Sequence, residues 1–265
     1  MTLAAGPLWL IGCGNMGGAM LRRWLAAGLD PAEVTVVTRS GRGVPEGVRS
    51  VQALPREENP ATILLAVKPQ QIDTVAPMLA EVRPGLLISI LAGVEVAALA
   101  ARIPADAIVR AMPNLPVAIG RGVVALHAPA LDLDGRATVE ALAAPLGHHE
   151  WIADEAAFDA VTALAGCGPG FLFRFADALA AAGAALGLPA DQAARLALAT
   201  LEGSAIMAAA SDVSPAMLAD RVASPGGSTR EGLNVLDRDD ALVRLLTDTL
   251  AAAARRNAEM AAAAR

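Results

Sequence analysis

Lysine is nearly absent from this chain. Lys68 is the only one among 21 basic residues, so arginine serves almost everywhere a positive charge is wanted. A position that keeps lysine is then a candidate for needing a compact ammonium instead of a planar guanidinium. Tyrosine is missing altogether, which removes any Tyr–Lys pair for proton transfer. The two cysteines, Cys13 and Cys167, are too few and too distant to suggest a disulfide framework or a CxxC metal site. His127, His148 and His149 form no zinc pattern with them, and the His148–His149 pair reads as a loop or a strand edge. No basic face exists either. The net charge is -6, and the closest basic groupings, Arg22–Arg23 and Arg255–Arg256, read as helix surface, which argues against a nucleic-acid partner. The N-terminus lacks the positive region of a secretory signal. No uninterrupted apolar run reaches the roughly 18–20 residues of a membrane span. The sequence therefore predicts a cytoplasmic protein without a membrane partner.

What is present is enough for a large core. Of 265 residues, 55% are hydrophobic and 18% charged, which suits one large domain or two ordinary ones. Up to about residue 125, short apolar segments alternate with helical or irregular connections. Strands are predicted at 7–11, 34–38, 62–66, 86–90, 107–110 and 122–126, rich in Val, Ile and Leu as in a parallel sheet buried on both faces. Helices are predicted at 17–27, 72–82 and, shorter, 93–101. This is βαβ alternation. Beyond residue 154 the pattern turns helical, over 155–165, 170–186, 190–210 and 238–260, with a short helix opening at Ser214–Pro215. The Gly187–Pro189 stretch reads as a helix stop and restart. The resulting expectation is an α/β Rossmann-type domain over 1–153, followed by an all-helical domain over 154–265. The Ala-rich helices suggest burial against a partner chain, although a self-contained bundle fits nearly as well.

The first chemical signal is Gly12-x-Gly14-x-x-Gly17, which follows the first strand and opens the first helix. Such a loop turns tightly, lets backbone approach a pyrophosphate and places its charge over a helix N-terminus. After the second strand an NAD site usually carries an acid for the ribose hydroxyls. Here the chain reads Thr38-Arg39-Ser40-Gly41-Arg42, with no acid before Glu46. Arg39 and Ser40 suit a 2′-phosphate, which favours NADPH over NADH; the plainer reading leaves Arg39 as surface charge. Lys68, in Ala66-Val67-Lys68-Pro69-Gln70, follows the third strand on the edge where such sheets bind ligands. Asn114 lies in a proline-bounded loop after the fifth strand, and Asn15 lies inside the glycine loop.

A second polar cluster is Ser224-Pro225-Gly226-Gly227-Ser228-Thr229-Arg230. Two glycines, two hydroxyl residues and a following helix make either an anion nest or a plainly capped helix start. The glycine-dense turn at 164–170 reads as close packing of helix ends, with Cys167 a small buried filler that has no adjacent histidine or acid.

Taken together, these motifs resemble the pyrroline-5-carboxylate reductase family, which reduces 1-pyrroline-5-carboxylate to L-proline with NAD(P)H. The resemblance runs through Gly12–Gly17, Ala66–Gln70, Arg110–Pro116, Thr162–Gly170 and Ser224–Thr229, in family order. It implies a Rossmann-type domain and a helical C-terminal domain that interlocks with its twin. The implied partners are a cyclic imino acid and a second copy of the chain, with pentamers of dimers as a further assembly. Ile11, Gly12, Gly14, Asn15, Met16, Gly17, Ala66, Val67, Lys68, Pro69 and Asn114 would contact the cofactor, and Arg39 and Ser40 its adenosine phosphate. Ser224, Gly226, Gly227, Ser228 and Thr229 would bind the substrate. Thr229 is the residue closest to an acid-like role, though a hydroxyl suits orienting better than donating. The chain departs from the pattern between Ser40 and Ala66, where Pro45, Gly47 and Pro55 predict a truncated or missing second helix. A family asparagine near the adenosine or nicotinamide edge also has no clear counterpart, since Asn59 fits the spacing poorly. Among rivals, a β-hydroxyacid dehydrogenase needs a lysine early in the helical domain, and none follows residue 68. A reductase of another cyclic imine and a non-catalytic NADP-binding sensor remain as alternatives.

Overall fold

A computed structural model describes residues 6–55 and 58–263. The first five residues, on which the expectation about a leader partly rests, lie outside that range. Among the described residues, eight strands form one sheet: β1 (Leu8–Ile11), β2 (Val34–Val37), β3 (Arg49–Val51), β4 (Thr62–Leu65), β5 (Leu86–Ser89), β6 (Ala107–Pro113), β7 (Gly122–His127) and β8 (Gly147–Trp151). Their order is β3-β2-β1-β4-β5-β6-β7-β8. Every pairing is parallel except β6 with β7, where Ala111 lies opposite Leu126. The first six strands therefore show the 3-2-1-4-5-6 order of dinucleotide-binding sheets.

Alternation along β1 divides the core. Leu8 and Leu10 face one layer with Trp24 of α1 (Asn15–Ala26) and Leu142 of α4 (Leu133–Ala143). Trp9 and Ile11 face the other, with Ile72 of α2 (Ile72–Val75) and Leu99 of α3 (Val96–Ala100). A strand buried on both faces is mostly apolar, which explains the Val-, Ile- and Leu-rich runs of β1, β2, β4 and β5, with only Thr35, Thr62 and Ser89 as polar exceptions. Trp24 also donates its indole N–H to the carbonyl of Leu142 at 2.6 Å, so its large apolar area is buried without stranding a donor. Burying each such side chain contributes about 1.5–3 kcal/mol.

The sheet differs from expectation at its edges. β3 and β8 are absent from the sequence reading, because Arg-Ser-Val is short and polar and Gly-His-His-Glu-Trp is half exposed. His148 and His149 do lie on the edge strand β8, and among the described residues no helix stands between β2 and β4. The amphipathic α4 went unpredicted as well; Asp132 caps it by accepting from the N–H of Gly135.

The segment after β8 begins as a single 3-10 turn, continues as α5 (Phe158–Val161) and widens into a π turn at Thr162–Gly166. Next come α6 (Gly168–Ala185), α7 (Ala190–Ala209), α8 (Pro215–Val222), α9 (Ser228–Asp237) and α10 (Ala241–Ala263). By packing, the residues through Cys167 join the last turns of α10 from Ala253 in one unit, and Gly168–Ala252 forms the other. That division falls later than residue 153 because Phe158 packs with Met112 of β6 and Ala125 of β7. In the second unit, α6 and α7 meet where Gly183 faces Ala193, and Gly187, at φ +102°, stops α6 as the sequence suggested.

Within the helical run Glu155–Ala185, an 18-residue window with a mean hydropathy of 1.4 is apolar enough, by length and composition only, to cross a membrane. The stretch is not uninterrupted: Arg174 and Asp177 break it, as the sequence reading has it, and pair with each other at 3.0 Å. Cys167, read as a buried filler, is only half-buried where it closes the π turn.

Candidate active site

The chain leaves β1 toward β2 on one side and, after β3, crosses to β4 on the other. The carboxyl ends of β1 and β4 therefore flank the point where the order reverses, the usual place for a ligand in such sheets. A cleft of about 680 Å³ lies there. Ile11, Gly12 and Gly14 form its base, Arg39 and Ser40 one end, and Ala66, Val67 and Lys68 the side of β4.

The glycine loop has the conformation its sequence requires. Gly12 sits at φ +92°, and a side chain there would come within 2.8 Å of the carbonyl oxygen of Ala66. Gly14 precedes α1 in extended backbone, with nothing within 4 Å of where its Cβ would be. It caps α1 without a side chain, and no acid occupies the first turn. The first N–H groups of this twelve-residue helix thus lack intrahelical partners and face a lane that a side chain at Gly14 would fill. These features fit a pyrophosphate.

At the other end Arg39 and Ser40 are exposed, and the Ser40 hydroxyl accepts from the N–H of Arg42 at 3.3 Å. Among the described residues neither Arg39 nor Arg42 forms an ion pair. Two uncommitted guanidiniums and no acid at the end of β2 suit a phosphate better than bare ribose hydroxyls. Lys68 is likewise exposed, starting a short turn in which the Gln71 side-chain oxygen accepts its backbone N–H at 3.1 Å.

Several lining residues were not foreseen. Gln52 enters from the end of β3, and Thr74, Val75 and Met78 form the facing wall. Gln52 could have been found only by recognising β3, whose three residues carry little strand signal. Cys13 also lines the cleft. Burial pushes its thiol above the ordinary range, partly offset by the nearby Arg22 guanidinium. Asn15, Met16, Gly17 and Pro69 do not line the cleft. Met16 packs on the core, and Gly17 is buried against Ala66.

Asn114 also lies away from the lining, and its side chain is engaged at both ends. Its Nδ2 donates to the carbonyl of Ala165 at 2.9 Å, while its Oδ1 accepts from the N–H of Val123 at 2.8 Å. Farther back on β6, the buried Arg110 donates to Glu155 at 3.1 Å and lies 4.4 Å over the Phe158 ring. The same Glu155 oxygen accepts the N–H of Val96 at 2.9 Å, capping α3 from another segment.

The substrate turn belongs to the second unit. Gly227 donates its N–H to the Ser224 carbonyl at 2.9 Å, with Pro225 second and Gly226 at φ +70° third, a type II turn. Gly227 is the N-cap of α9 and makes no side-chain cap bond, so Ser228 and Thr229 do not cap this helix. The plainly capped helix start is therefore not what forms. The hydroxyls of Ser228 and Thr229 remain exposed beside the first N–H groups of a ten-residue helix. Arg230, the adjacent cation, is turned to Asp220 at 2.8 Å.

Comparison with known proteins agrees with both halves. Residues 155–260 match the family model for pyrroline-5-carboxylate reductase dimerisation, and residues 8–93 match that for NADP oxidoreductase, coenzyme F420-dependent. A pyrroline-5-carboxylate reductase of Synechocystis is 37% identical over 246 residues, 87% of this chain and 90% of the relative. The solved structure of a pyrroline-5-carboxylate reductase from Coxiella burnetii is 32% identical with a TM-score of 0.88, covering 96% of this chain and 98% of the other. That of Plasmodium falciparum pyrroline carboxylate reductase with NADP bound is 26% identical with a TM-score of 0.82, covering 98% and 100%. With a glycine loop formed for a pyrophosphate, a second turn whose hydroxyls stay uncommitted, and relatives alike over nearly its whole length, this chain belongs to the pyrroline-5-carboxylate reductase family.

Proposed function

We infer that this protein is an NAD(P)H-dependent reductase that converts 1-pyrroline-5-carboxylate to L-proline. The observation that carries the reading is the pairing of an uncapped, acid-free glycine-loop helix with an uncapped Gly-Gly-Ser-Thr helix start. The first suits a dinucleotide and the second a carboxylate.

The nicotinamide supplies the hydride when bound. Gly12 and Gly14 leave room for the pyrophosphate, Arg39, Ser40 and Arg42 hold the adenosine phosphate, and Ala66, Val67 and Lys68 line the wall beyond β4. Together they favour NADPH, with NADH a second donor. In the second unit, the N–H groups after Gly227 hold the substrate carboxylate. Ser224 and Ser228 complete that turn with their hydroxyls. Thr229 hydrogen-bonds the ring nitrogen and orients the C=N bond. A cyclic imine protonates readily near neutral pH, so little acid catalysis is needed and positioning carries most of the acceleration. The absence of a Tyr–Lys pair is compatible with this chemistry.

We assign residues 1–153 to cofactor binding and 154–265 to dimerisation and substrate binding, a boundary supported by the dimerisation match beginning at residue 155. A homodimer through the C-terminal helices would cover the exposed apolar side chains of α6 and α7, among them Phe173, Phe175, Leu196 and Ile206. Pentamers of dimers are the next assembly. The same burial accounts for the apolar run in α6 without a membrane. Both cysteines are free thiols, as a reducing compartment keeps them, and we place the enzyme in the cytoplasm.

The test is oxidation of NADPH and NADH at matched concentrations with 1-pyrroline-5-carboxylate, quantifying proline. Proline formed in step with cofactor loss is the expected outcome. Folded protein that binds nucleotide and makes no proline would overturn the reading.

A further inference from the structure

The π turn at Thr162–Gly166 has a consequence in hydrogen bonding. Its closing bond runs from the Cys167 N–H to the Thr162 carbonyl at 2.8 Å, five residues back. Wider turns of this kind arise mostly as local insertions in α-helices, often at functional sites. Near its end the Ala165 carbonyl lies four residues before Pro169, which has no N–H to donate, and Asn114 Nδ2 reaches it at 2.9 Å. The other end of the Asn114 amide accepts the Val123 N–H at 2.8 Å, so one side chain joins the end of β6, the start of β7 and the π turn. Asn114 is 7% exposed. A buried amide with both ends engaged fixes its partners firmly, because neither bond can be replaced by water without moving backbone.

A second tie acts on the same two elements. Arg110, three residues into β6, holds Glu155 at the beginning of the segment, and Phe158 fills the space between with Met112 and Ala125. The segment 155–166 is thus held against β6 at both ends, by an ion pair at one and an amide at the other. β6 ends on the same edge as β4 and β5, since the three are parallel. In a sheet of this order that edge belongs to the second mononucleotide half, where a nicotinamide is placed.

We propose that Asn114 is a positioning residue, not a cofactor ligand: it sets the backbone of the Ala165–Cys167 turn at the nicotinamide edge of the site. Arg110 and Glu155 anchor the far end of the same segment. The consequence for catalysis rests on the reductase reading above, while the structural part does not.

The variants are Asn114→Asp, which keeps the acceptor for Val123 and loses the donor to Ala165, and Asn114→Ala, which loses both. Three readouts are compared with wild type: amide hydrogen exchange at 162–167, NADPH affinity by fluorescence titration, and steady-state reduction of 1-pyrroline-5-carboxylate. We expect exchange at Ala165–Cys167 in Asn114→Asp to rise at least tenfold while the glycine loop is unchanged. NADPH affinity should stay within twofold, and kcat/KM for the imino acid should fall more than tenfold. Asn114→Ala should show the same order of effects, larger; if it fails to fold, Asn114→Asp decides. Equal losses in NADPH affinity and kcat/KM would make Asn114 a cofactor ligand and overturn the proposal, as would unchanged exchange at the turn or unchanged kcat/KM. A wild-type protein that turns over no pyrroline carboxylate would sink the reductase reading alone, since exchange and NADPH titration still test what Asn114 holds.

Discussion

Gly17 faces the methyl group of Ala66 so closely that a Cβ on Gly17 would lie 2.9 Å from it. Helix α1 can therefore sit on β4 only without a side chain at this position. Gly17→Ala should lose about 1–3 kcal/mol to overpacking, offset in part by about 1 kcal/mol of helix propensity. Gly14→Ala should behave oppositely: nothing lies within 4 Å of its added methyl, so stability holds while the pyrophosphate lane is blocked. Urea midpoints and NADPH titrations on the two variants separate the effects. If Gly14→Ala bound NADPH like wild type, the cofactor would not lie against this loop.

On the reading proposed above, Arg39 and Arg42 would supply a preference for the phosphorylated cofactor. Charge-assisted hydrogen bonds contribute about 1.5–3 kcal/mol, less where exposed, and about 1.4 kcal/mol corresponds to tenfold. Arg39→Ala combined with Arg42→Ala should raise the KM for NADPH about tenfold and leave that for NADH nearly unchanged. The wild-type NADPH preference should also weaken with added salt. Parallel rises in both KM values would show that the arginines support the loop without reading the phosphate.

Thr229 is assigned to the substrate nitrogen. Thr229→Ala should lower kcat/KM for the imino acid by about tenfold to a hundredfold, the cost of about 1–3 kcal/mol for an unmade bond. Thr229→Ser, which keeps the hydroxyl, should recover most of it. Steady-state rates at saturating NADPH make the comparison. Equal defects in the two variants would point to the methyl group and packing.

The exposed apolar side chains of α6 and α7 form the dimer face in the proposed assembly. Phe173 and Phe175 are 59% and 47% exposed in the single chain, and Phe173→Glu with Phe175→Glu should convert the dimer to monomer in sedimentation. NADPH binding should persist while proline formation is lost. A variant that remains fully dimeric would move the interface elsewhere.

Cys13 should give the protein a modest loss of stability at alkaline pH. Its thiol is raised by burial, so the folded state keeps the proton more tightly than the unfolded chain. The associated stability is fully present below the ordinary thiol range and is lost as pH rises through the raised folded value. Urea midpoints measured from about pH 8 to 10 should fall more steeply for wild type than for Cys13→Ser. Matching slopes would mean that burial of this thiol has no weight in stability.

Sequence alone determined the frame because its signals are local. Strands buried on both faces are mostly apolar, so β1, β2, β4 and β5 announce themselves, and a backbone that turns under a phosphate demands Gly12 and Gly14. The lack of a helix among the described residues between Ser40 and Ala66 was legible in Pro45, Gly47 and Pro55, and the five motifs in order were enough to indicate the family. Tertiary structure decided whatever depends on partners distant in the chain. Arg49–Val51 is a strand only because β2 lies beside it, and Gln52 reaches the cleft only through that pairing. Asn114 looked like a cofactor contact because it follows β6, yet both ends of its amide are engaged by Ala165 and Val123, 51 and 9 residues away. A propensity or a turn is written in adjacent residues, whereas a buried polar side chain takes its role from whichever unsatisfied backbone group the fold brings within 3 Å.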